Sequence, residues 1–397
     1  MKYPQYINEI IERLEAAGYS AYAVGGCVRD AMLGRVPNDF DVTTSALPDE
    51  TLRVFENERT IPTGLKHGTV TVILGDYDPV EVTTYRIDGS YTDSRHPESV
   101  SFTDRIEDDL ARRDFTVNAM AYNKKRGLVD PFDGQGDLCR GILRAVGEPE
   151  RRMREDALRI MRAFRFSAQL GFSIDEGTKK ALVSEREGLK NISGERLGVE
   201  LSKLVCAPHA KEAAECMIEC GVAELIFGGY IPACRLLCAL GKLSPSPEVR
   251  LACLLYCCTA DGARAILNKM KYSNALKNSA LRLIEAKSYP IPESDADLRR
   301  FLRCFGEDAL LAAELMRTLR GAVDLTEERI QRIKRDGFCA SLSDLAIGGK
   351  DLLALGMSGK EVGEVLSFLL DAVTEEPMLN TMEKLMQLVK TKNCDNS

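Results

Sequence analysis

Three carboxylates lie where they could converge on metal ions. Asp39 and Asp41 are separated by one residue in DFDVTT, a segment that predicts a β-strand. Alternate side chains of a strand share a face, so both carboxylates would point one way while Phe40 and Val42 turn to the core. Glu81 lies in a second predicted strand, and three acids would meet if the two strands are neighbours. Clustered carboxylates repel one another and favour Mg²⁺, which prefers oxygen ligands. The alternative is that they are solvated acids at strand ends.

A glycine pair between a predicted strand and a predicted helix could bind phosphate. Gly25 and Gly26 follow the strand SAYAV, and the helix VRDAMLG is predicted to begin just after them. Glycines there let backbone N–H groups approach an anion, the helix N-terminus favours it, and Arg29 adds a planar cation. The segment matches neither the dinucleotide-binding nor the P-loop pattern. Taken alone, a glycine pair is usually only a turn.

The segment EDALRIMRAFRF is rich in arginine. On one predicted helix its charged side chains recur every three residues, at Asp156, Arg159, Arg162 and Arg165. A Glu155–Arg159 ion pair would make this an ordinary salt-bridged helix, a contribution of about 0.3–0.5 kcal/mol. However, residues 144–166 contain seven arginines and no lysine. Because planar guanidinium groups suit base edges and phosphates, this bias favours a nucleotide ligand.

The elements that must position these residues fall into two parts. Up to about residue 148 helices alternate with strands, including a hairpin of TVTVILG and PVEVTTYR around a GDYDP turn. Beyond it strand signals nearly vanish. Long amphipathic segments are predicted there at 152–170, 177–188, 195–206, 210–226, 247–270, 274–287, 296–319 and 361–373. The sequence therefore predicts an α+β fold, a small mixed β-sheet head followed by an elongated all-helical part.

The composition is that of a folded protein with an acidic balance. The length of 397 residues suggests two to four domains, and 53 Lys and Arg against 60 Asp and Glu give a net charge of −7. That balance disfavours a polynucleotide partner. No apolar run could cross a membrane, and the charged N-terminus does not resemble a secretory signal, so we predict a cytoplasmic protein.

Thirteen cysteines occur, none of them in a CxxC pair. Several are spaced one helical turn apart, as in Cys216 and Cys220, Cys234 and Cys238, and Cys253 and Cys257. We predict that they face a helical core rather than bind metal, in a reducing compartment.

The order of these motifs resembles the bacterial class II tRNA nucleotidyltransferase/poly(A) polymerase family, within the DNA polymerase β-like nucleotidyltransferase superfamily. The resemblance rests on GGCVRD (25–30), DFD (39–41), VEVTT (80–84), RRDFTVNAMAY (112–122), DPFDGQGDL (130–138), EDALRIMRAFRF (155–166) and ERLGVEL (195–201). It implies a catalytic nucleotidyltransferase head over 1–147, a base-recognising neck over 148–206, and a tRNA-binding body and tail over 207–330 and 331–397.

The resemblance also implies roles for individual residues. Asp39 and Asp41 would hold two Mg²⁺ ions, with Glu81 as a third carboxylate, while the RNA 3′-hydroxyl attacks the α-phosphate of ATP or CTP. The nucleotide-binding residues that it implies are Gly25, Gly26, Arg29, Arg113, Asn118, Asp156, Arg159, Arg162 and Arg165. The expected partner is tRNA, at its 3′ end and acceptor region, and no protein partner is implied.

Asp156 as acceptor beside Arg159 as donor would distinguish bases. Cytosine and adenine each present an amino donor next to a ring-nitrogen acceptor, which fits the pair, whereas uracil and guanine present the reverse pattern. A mismatch leaves buried polar groups unpaired at a cost of about 1–3 kcal/mol per group. The pair would therefore select CTP and ATP without a nucleic-acid template, as the family resemblance also implies.

Within the family, addition of C, C and A to tRNA competes with A-only addition, CC-only addition and poly(A) synthesis. The polar segment 88–100 resembles the family's flexible loop, which CC-adding enzymes shorten, so its presence favours addition of the terminal A. An A-adding enzyme would keep the loop, and the absence of a strongly basic tail speaks against a poly(A) polymerase. Outside the family, the alternatives are a nucleotidyltransferase for small molecules and an inactive RNA-binding protein.

Overall fold

The computed structural model describes residues 1, 3–89, 100–336 and 338–395. Contacts divide the chain into two units, Met1–Ile231 with Lys269–Lys271, and Pro232–Asn268 with Tyr272–Ser397. The predicted α+β architecture is confirmed, because nearly all strands precede residue 148 and helices dominate thereafter. The four-part division of the sequence stays a prediction. Residues 90–99 of the predicted loop lie outside the described residues.

The first unit is built on a seven-stranded mixed sheet. Its strands, with two small accessory pairs, are β1 Ala21–Val24, β2 Asp41–Thr44, β3 Arg59–Gly64, β4 Thr69–Ile73, β5 Val80–Thr84, β6 Arg86–Asp88, β7 Val100–Phe102, β8 Ala121–Asn123, β9 Gly127–Val129, β10 Ile142–Leu143 and β11 Ser173–Ile174. The sheet order is β3-β4-β5-β2-β1-β8-β9. The predicted hairpin is confirmed, since β4 and β5 pair antiparallel with Val72 opposite Val80.

The segment DFDVTT is strand only from Asp41 onward, so Asp39 and Phe40 precede β2 and the predicted alternation does not extend to them. Val42 is fully buried as predicted. Phe40 packs edge-on against Tyr3, with ring centroids 5.8 Å apart. The backbone before β2 is thus held by aromatic packing rather than by ladder hydrogen bonds.

The helices of the first unit pack on the sheet and on one another. They are α1 Gln5–Ala16, α2 Gly26–Met32, α3 Pro48–Val54, α4 Ile106–Ala111, α5 Gly134–Arg140, α6 Pro149–Glu155, α7 Leu158–Leu170, α8 Glu176–Ser184, α9 Gly194–Val205, α10 Ala210–Glu219 and α11 Val222–Ile226. The prediction of one helix over 152–170 is wrong, because α6 and α7 are separate. The segment 210–226 is likewise divided, where Gly221 adopts a φ of 69°.

The second unit contains helices and no named strand among its described residues. Its helices are α12 Cys234–Leu240, α13 Pro247–Leu254, α14 Ala260–Lys269, α15 Asn274–Glu285, α16 Asp295–Phe305, α17 Ala309–Arg320, α18 Glu327–Arg335, α19 Gly349–Ala354, α20 Gly359–Glu375 and α21 Met382–Asp395. The predicted segments 247–270 and 296–319 are each two helices. Short turns separate the two helices of each segment. The apolar pattern of the sequence continues across these turns, so it does not reveal them.

The cysteine prediction is correct for some residues and wrong for others. Cys220 and Cys253 are buried, but Cys234, Cys238 and Cys257 are exposed. Helix α12 has only seven residues and buries Leu236, Leu237, Ala239 and Leu240, which leaves Cys234 and Cys238 on its other face. Among the described residues no helix combines the length and apolarity that crossing a membrane requires.

Candidate active site

Parallel pairing of β2 with β5 brings two of the predicted acids together. Asp41 lies directly opposite Glu81 in the register, so the two side chains leave the same face of the sheet. The pKa of Asp41 is raised by desolvation among neighbouring atoms and further by Glu81 and Asp39, against the lowering effect of Arg113. The negative charges of Glu81 and Asp39 therefore both act on the Asp41 carboxylate. Still, the described part of the chain contains no group of three acidic, His or Cys side chains arranged to hold a metal ion.

The predicted strand–glycine–glycine–helix junction is confirmed, with Gly25 between β1 and α2. Gly25 has a φ of 79°, a conformation that side chains rarely adopt, and its N–H donates to the Met120 carbonyl at 3.1 Å. A Cβ at this position would lie 2.8 Å from Nη1 of Arg113. The positive φ therefore favours glycine at this position, and an added Cβ would also displace the end of the Arg113 side chain.

Arg29 and Asn118 form one connected arrangement. The Arg29 guanidinium donates to both carboxylate oxygens of Asp30, at 2.9 and 3.0 Å, and to Oδ1 of Asn118 at 2.7 Å. The Asn118 amide in turn donates to Asp114 at 3.1 Å. Arg113 lies 3.5 Å from Asp109, and its buried Nε has no hydrogen-bond partner among the described residues. The guanidinium groups that the sequence assigns to phosphate are thus held in place, with Arg113 the least engaged.

A cleft of about 790 Å³ adjoins these residues. This volume is typical of small-molecule sites, which hold about 300–1,000 Å³. The predicted site residues that line it are Gly25, Gly26, Arg29, Asp39, Asp41, Arg113, Asn118, Arg162 and Arg165. Glu81, Asp156 and Arg159 are not among the lining residues. The structure therefore brings together most, but not all, of the predicted set.

Asp156 lies between two helices and not within one. Its Oδ1 accepts a hydrogen bond from the Leu158 N–H at 3.0 Å, which satisfies a free donor at the start of α7. Its Oδ2 accepts from Arg196 at 3.0 Å. The predicted continuous row from Asp156 along one helix is therefore wrong, because a short acidic side chain ends one helix and caps the next.

Arg159 is buried, and its guanidinium group forms hydrogen bonds with groups other than Asp156. Its guanidinium donates to Glu155 at 2.9 Å, to the Arg152 carbonyl at 2.9 Å and to the Arg112 carbonyl at 3.0 Å. The Glu155–Arg159 pair is thus present as predicted. Asp156 and Arg159 have different partners, so the base-recognising pair is not preassembled in this arrangement.

Arg162 and Arg165 project from α7 toward the cleft, each beside a buried acid. Arg162 donates twice to Oδ2 of Asp114, at 2.8 and 2.6 Å. Burial alone would raise the pKa of Asp114, but Arg162 and the Asn118 amide outweigh it and hold this pKa at about 2. Arg165 lies 3.2 Å from Glu200 and stacks 4.0 Å above the Phe166 ring. Burial, together with Arg162, lowers the pKa of Arg165 to about 10.

Several residues of the site were missed by the sequence reasoning. Asp114, Phe166, Gln169 and Lys203 line the cleft, and Glu200 supports it from behind. Asp114 and Glu200 do occur in the motifs RRDFTVNAMAY and ERLGVEL. A usable signal was the excess of arginines, because buried guanidinium groups require carboxylate partners.

Three family models match separate parts of the chain. They describe the poly A polymerase head domain over residues 21–144, a probable RNA and SrmB-binding site of polymerase A over 171–234, and tRNA nucleotidyltransferase domain 2 over 245–389. The CCA-adding enzyme of Lactobacillus delbrueckii subsp. bulgaricus is 36% identical over 388 residues, which covers 96% of each chain. That of Geobacillus thermodenitrificans is 38% identical over 371 residues, covering 92% of this chain and 90% of the relative. The chain belongs to the CCA-adding enzyme family.

A solved structure agrees with this assignment. The crystal structure of the Bacillus stearothermophilus CCA-adding enzyme in complex with CTP superposes with a TM-score of 0.84 at 33% identity, and the match covers both chains completely. The family that the motifs indicate is therefore confirmed, and with it the nucleotidyltransferase class of enzyme.

Replacing Gly25 by alanine tests the packing of Arg113. In Gly25→Ala the new Cβ displaces the guanidinium, so we expect CTP incorporation to fall by about tenfold or more, the loss of one charge-assisted contact. Gly34→Ala is the matched control, because Gly34 also has a positive φ of 70° but a Cβ added there would meet no atom within 4 Å. Unfolding curves of both variants measure the loss of stability that alanine causes at a position with positive φ, which the two variants share. Equal activity in the two variants would contradict the packing argument.

The Asp114–Arg162 pair makes stability depend on pH. Because the pKa of Asp114 is depressed to about 2, the charged form stabilises the folded state above the unfolded pKa, and this contribution is lost as pH falls toward 2. We expect Asp114→Asn to lower the free energy of unfolding by about 2 kcal/mol at pH 7, and the difference from the parent to shrink between about pH 5 and pH 2. Asp76→Asn, in the exposed β4–β5 turn, is the control in urea unfolding. A pH-independent difference would refute this account.

Proposed function

We propose that the protein adds C, C and A in turn to the 3′ end of tRNA, using CTP and ATP and releasing pyrophosphate. The observation that carries the proposal is the Asp41–Glu81 register beside an arginine-lined cleft, in a chain of this family. The relatives above bear the name CCA-adding enzyme, so A-only addition, CC-only addition and poly(A) synthesis are not favoured.

Asp39 and Asp41 are the proposed ligands of two Mg²⁺ ions, with Glu81 close by. Desolvation raises the pKa of Asp41, and Glu81 and Asp39 raise it further, so a divalent cation bound there would relieve the repulsion among these acids. Mg²⁺ needs only one or two carboxylates from the protein, because waters and substrate phosphates fill the rest of its coordination shell. When bound, such ions neutralise the triphosphate and activate the attacking hydroxyl.

The chain's own cations orient the nucleotide. Gly25 and Gly26 line the cleft together with Arg29 and Arg113, and Asn118 and Asp30 fix the direction of Arg29. Such prearranged donors stabilise developing phosphate charge without reorganisation during the reaction. We assign Arg162 and Arg165 to the same bound nucleotide because they line the same cleft.

Asp156 and Arg159 are the proposed base-recognising pair. In the structure Arg196 holds Asp156 and Glu155 holds Arg159, so recognition of a base requires both side chains to exchange partners. The exchange costs little free energy when the base replaces the lost hydrogen bonds. It costs more when the base presents donors where acceptors are needed and acceptors where donors are needed. Selectivity for cytosine and adenine would then arise during binding.

The helical remainder supplies the proposed tRNA-binding surface. We retain the division into head 1–147, neck 148–206, body 207–330 and tail 331–397 as part of this proposal. The net charge of −7 favours binding through a limited basic surface and the shape of the RNA, rather than a diffuse cationic coat.

The decisive experiment uses three tRNAs, which end before CCA, after the first C and after the second C. With CTP and ATP together, all three should be extended to CCA and no further, whereas CTP alone should stop at CC. An A-adding enzyme would extend only the third tRNA, a CC-adding enzyme would never add A, and a poly(A) polymerase would give long tails. Product lengths on a sequencing gel decide among them.

The metal-ligand assignment has its own test. Asp41→Asn should reduce nucleotide incorporation by about a thousandfold or more, since several kcal/mol of transition-state stabilisation are removed. The fold should be retained, because Asp41 lies at the first position of its strand and asparagine has nearly the same size and shape as aspartate. Asp49→Asn, an exposed acid on α3, is the matched control. Normal turnover by Asp41→Asn would overturn the assignment.

Base selection is tested by Asp156→Ala and Arg159→Ala. Each should relax discrimination against UTP and GTP by about 1–3 kcal/mol, while affinity for the triphosphate changes less. Arg154→Ala is the control, because Arg154 pairs with Glu185 on the surface. The ratio of kcat/KM values for correct and incorrect nucleotides is the measurement, and unchanged selectivity in both variants would exclude this role.

A further inference from the structure

The cations that line the cleft differ in whether an acid already neutralises them. Four arginines each face a carboxylate: Arg29 with Asp30, Arg113 with Asp109, Arg162 with Asp114 and Arg165 with Glu200. Lys203 also lines the cleft, but within the described ranges it has neither a carboxylate nor a hydrogen-bond partner. Its ammonium group therefore lines the cleft without an ion-pair partner among the described residues.

Lys203 is presented by a rigid element. It lies on α9, three residues after Glu200, so the two side chains are neighbours on the helix surface. Glu200 contacts Arg165 of α7, which shows that this side of α9 faces the cleft. Leu201, Leu204 and Val205 are buried and anchor the helix.

Arg35 is the other cleft-lining cation without a described partner, but unlike Lys203 it does not lie on a helix. It lies in the stretch between α2 and β2, outside any helix or strand. A charge fixed on a packed helix loses less conformational freedom when it binds a ligand, so Lys203 is the better prearranged of the two.

The chain after α9 packs closely against the end of α7. The His209 N–H donates to the Ala168 carbonyl at 3.0 Å, and a Cβ at Gly171 would lie 2.8 Å from the His209 ring. These contacts tie the end of α7 to the chain that follows α9. Gln169, on the last turn of α7, lines the cleft with an amide that has no described partner.

We propose that Lys203, together with Gln169, which lines the same cleft, binds a phosphate group of the substrates there. An ammonium group is a point charge with three donors, suited to phosphate, and an amide can add a neutral hydrogen bond. The phosphate belongs either to the backbone of the RNA 3′ end or to the triphosphate of the incoming nucleotide. This assignment rests on the proposed function and adds a substrate-binding residue to it.

Steady-state kinetics of Lys203→Gln test the assignment, with tRNA and each nucleotide varied separately. Lys203→Arg, which keeps the charge, should restore most of the affinity. Lys124→Gln is the matched control, because Lys124 is exposed in the β8–β9 turn, also without a described partner, and outside the cleft. Thermal unfolding confirms that each variant is folded.

Loss of a charged contact should raise one KM by about tenfold. A higher KM for tRNA, with a salt dependence of binding shallower by about 0.7–0.9 in log–log slope, identifies an RNA phosphate. A higher KM for both CTP and ATP, with unchanged salt dependence for tRNA, identifies the triphosphate.

The proposal is overturned if neither KM differs more than about twofold from that of Lys124→Gln, or if Lys203→Arg is as impaired as Lys203→Gln. The unmodified protein is assayed first on the three tRNAs. If it adds CCA and the Lys203 variants behave like the control, only this inference fails, whereas inactivity of the unmodified protein would count against the proposed function.

Discussion

Guanidinium groups crowd around one cleft, and the need to place a carboxylate against four of them constrains the rest of the first unit. Asp109, Asp114 and Glu200 are buried, and an isolated buried charge is strongly destabilising, so each acid depends on its arginine as much as the arginine depends on it. The depressed pKa of Asp114 shows that the attraction outweighs the cost of burial. Helices α7 and α9 and the chain before β8 are therefore fixed relative to one another by charge.

The same residue type has opposite behaviour at two places in this cleft. Asp114, enclosed and paired with Arg162, has a pKa of about 2, whereas the pKa of Asp41 is raised by desolvation and by neighbouring acids. Asp114 already accepts hydrogen bonds from Arg162 and Asn118, and this pairing stabilises the fold. Asp41 is left with an unfavourable environment, which is the condition expected of a group that meets a cation when substrate binds.

Under the proposed function, the present partners of Asp156 and Arg159 must be exchanged for a base, which links the structure to substrate choice. Asp156 accepts from the first N–H of α7 and from Arg196, and Arg159 donates to the Arg112 carbonyl, so both side chains have structural partners. The cleft itself is lined further along α7 by Arg162, Phe166 and Gln169. Under the proposed function, Asp156 before α7 and Arg159 in its first turn recognise the base, whereas Arg162 and Arg165 further along α7 bind the same nucleotide.

Local patterns along the chain, together with the family resemblance of the motifs, predicted the class of the fold and nine of the cleft-lining residues, because strand alternation, glycine turns and arginine spacing are local properties. They also predicted the β4–β5 hairpin and the Glu155–Arg159 pair, whose partners are close in sequence. Three-dimensional packing alone established that Asp41 lies opposite Glu81, forty residues away, and that Asp114 and Glu200 neutralise the arginines of α7. It also established that Asp156 ends a helix. Such outcomes depend on which distant groups compete for the same hydrogen bonds and charges, and no local pattern contains that competition.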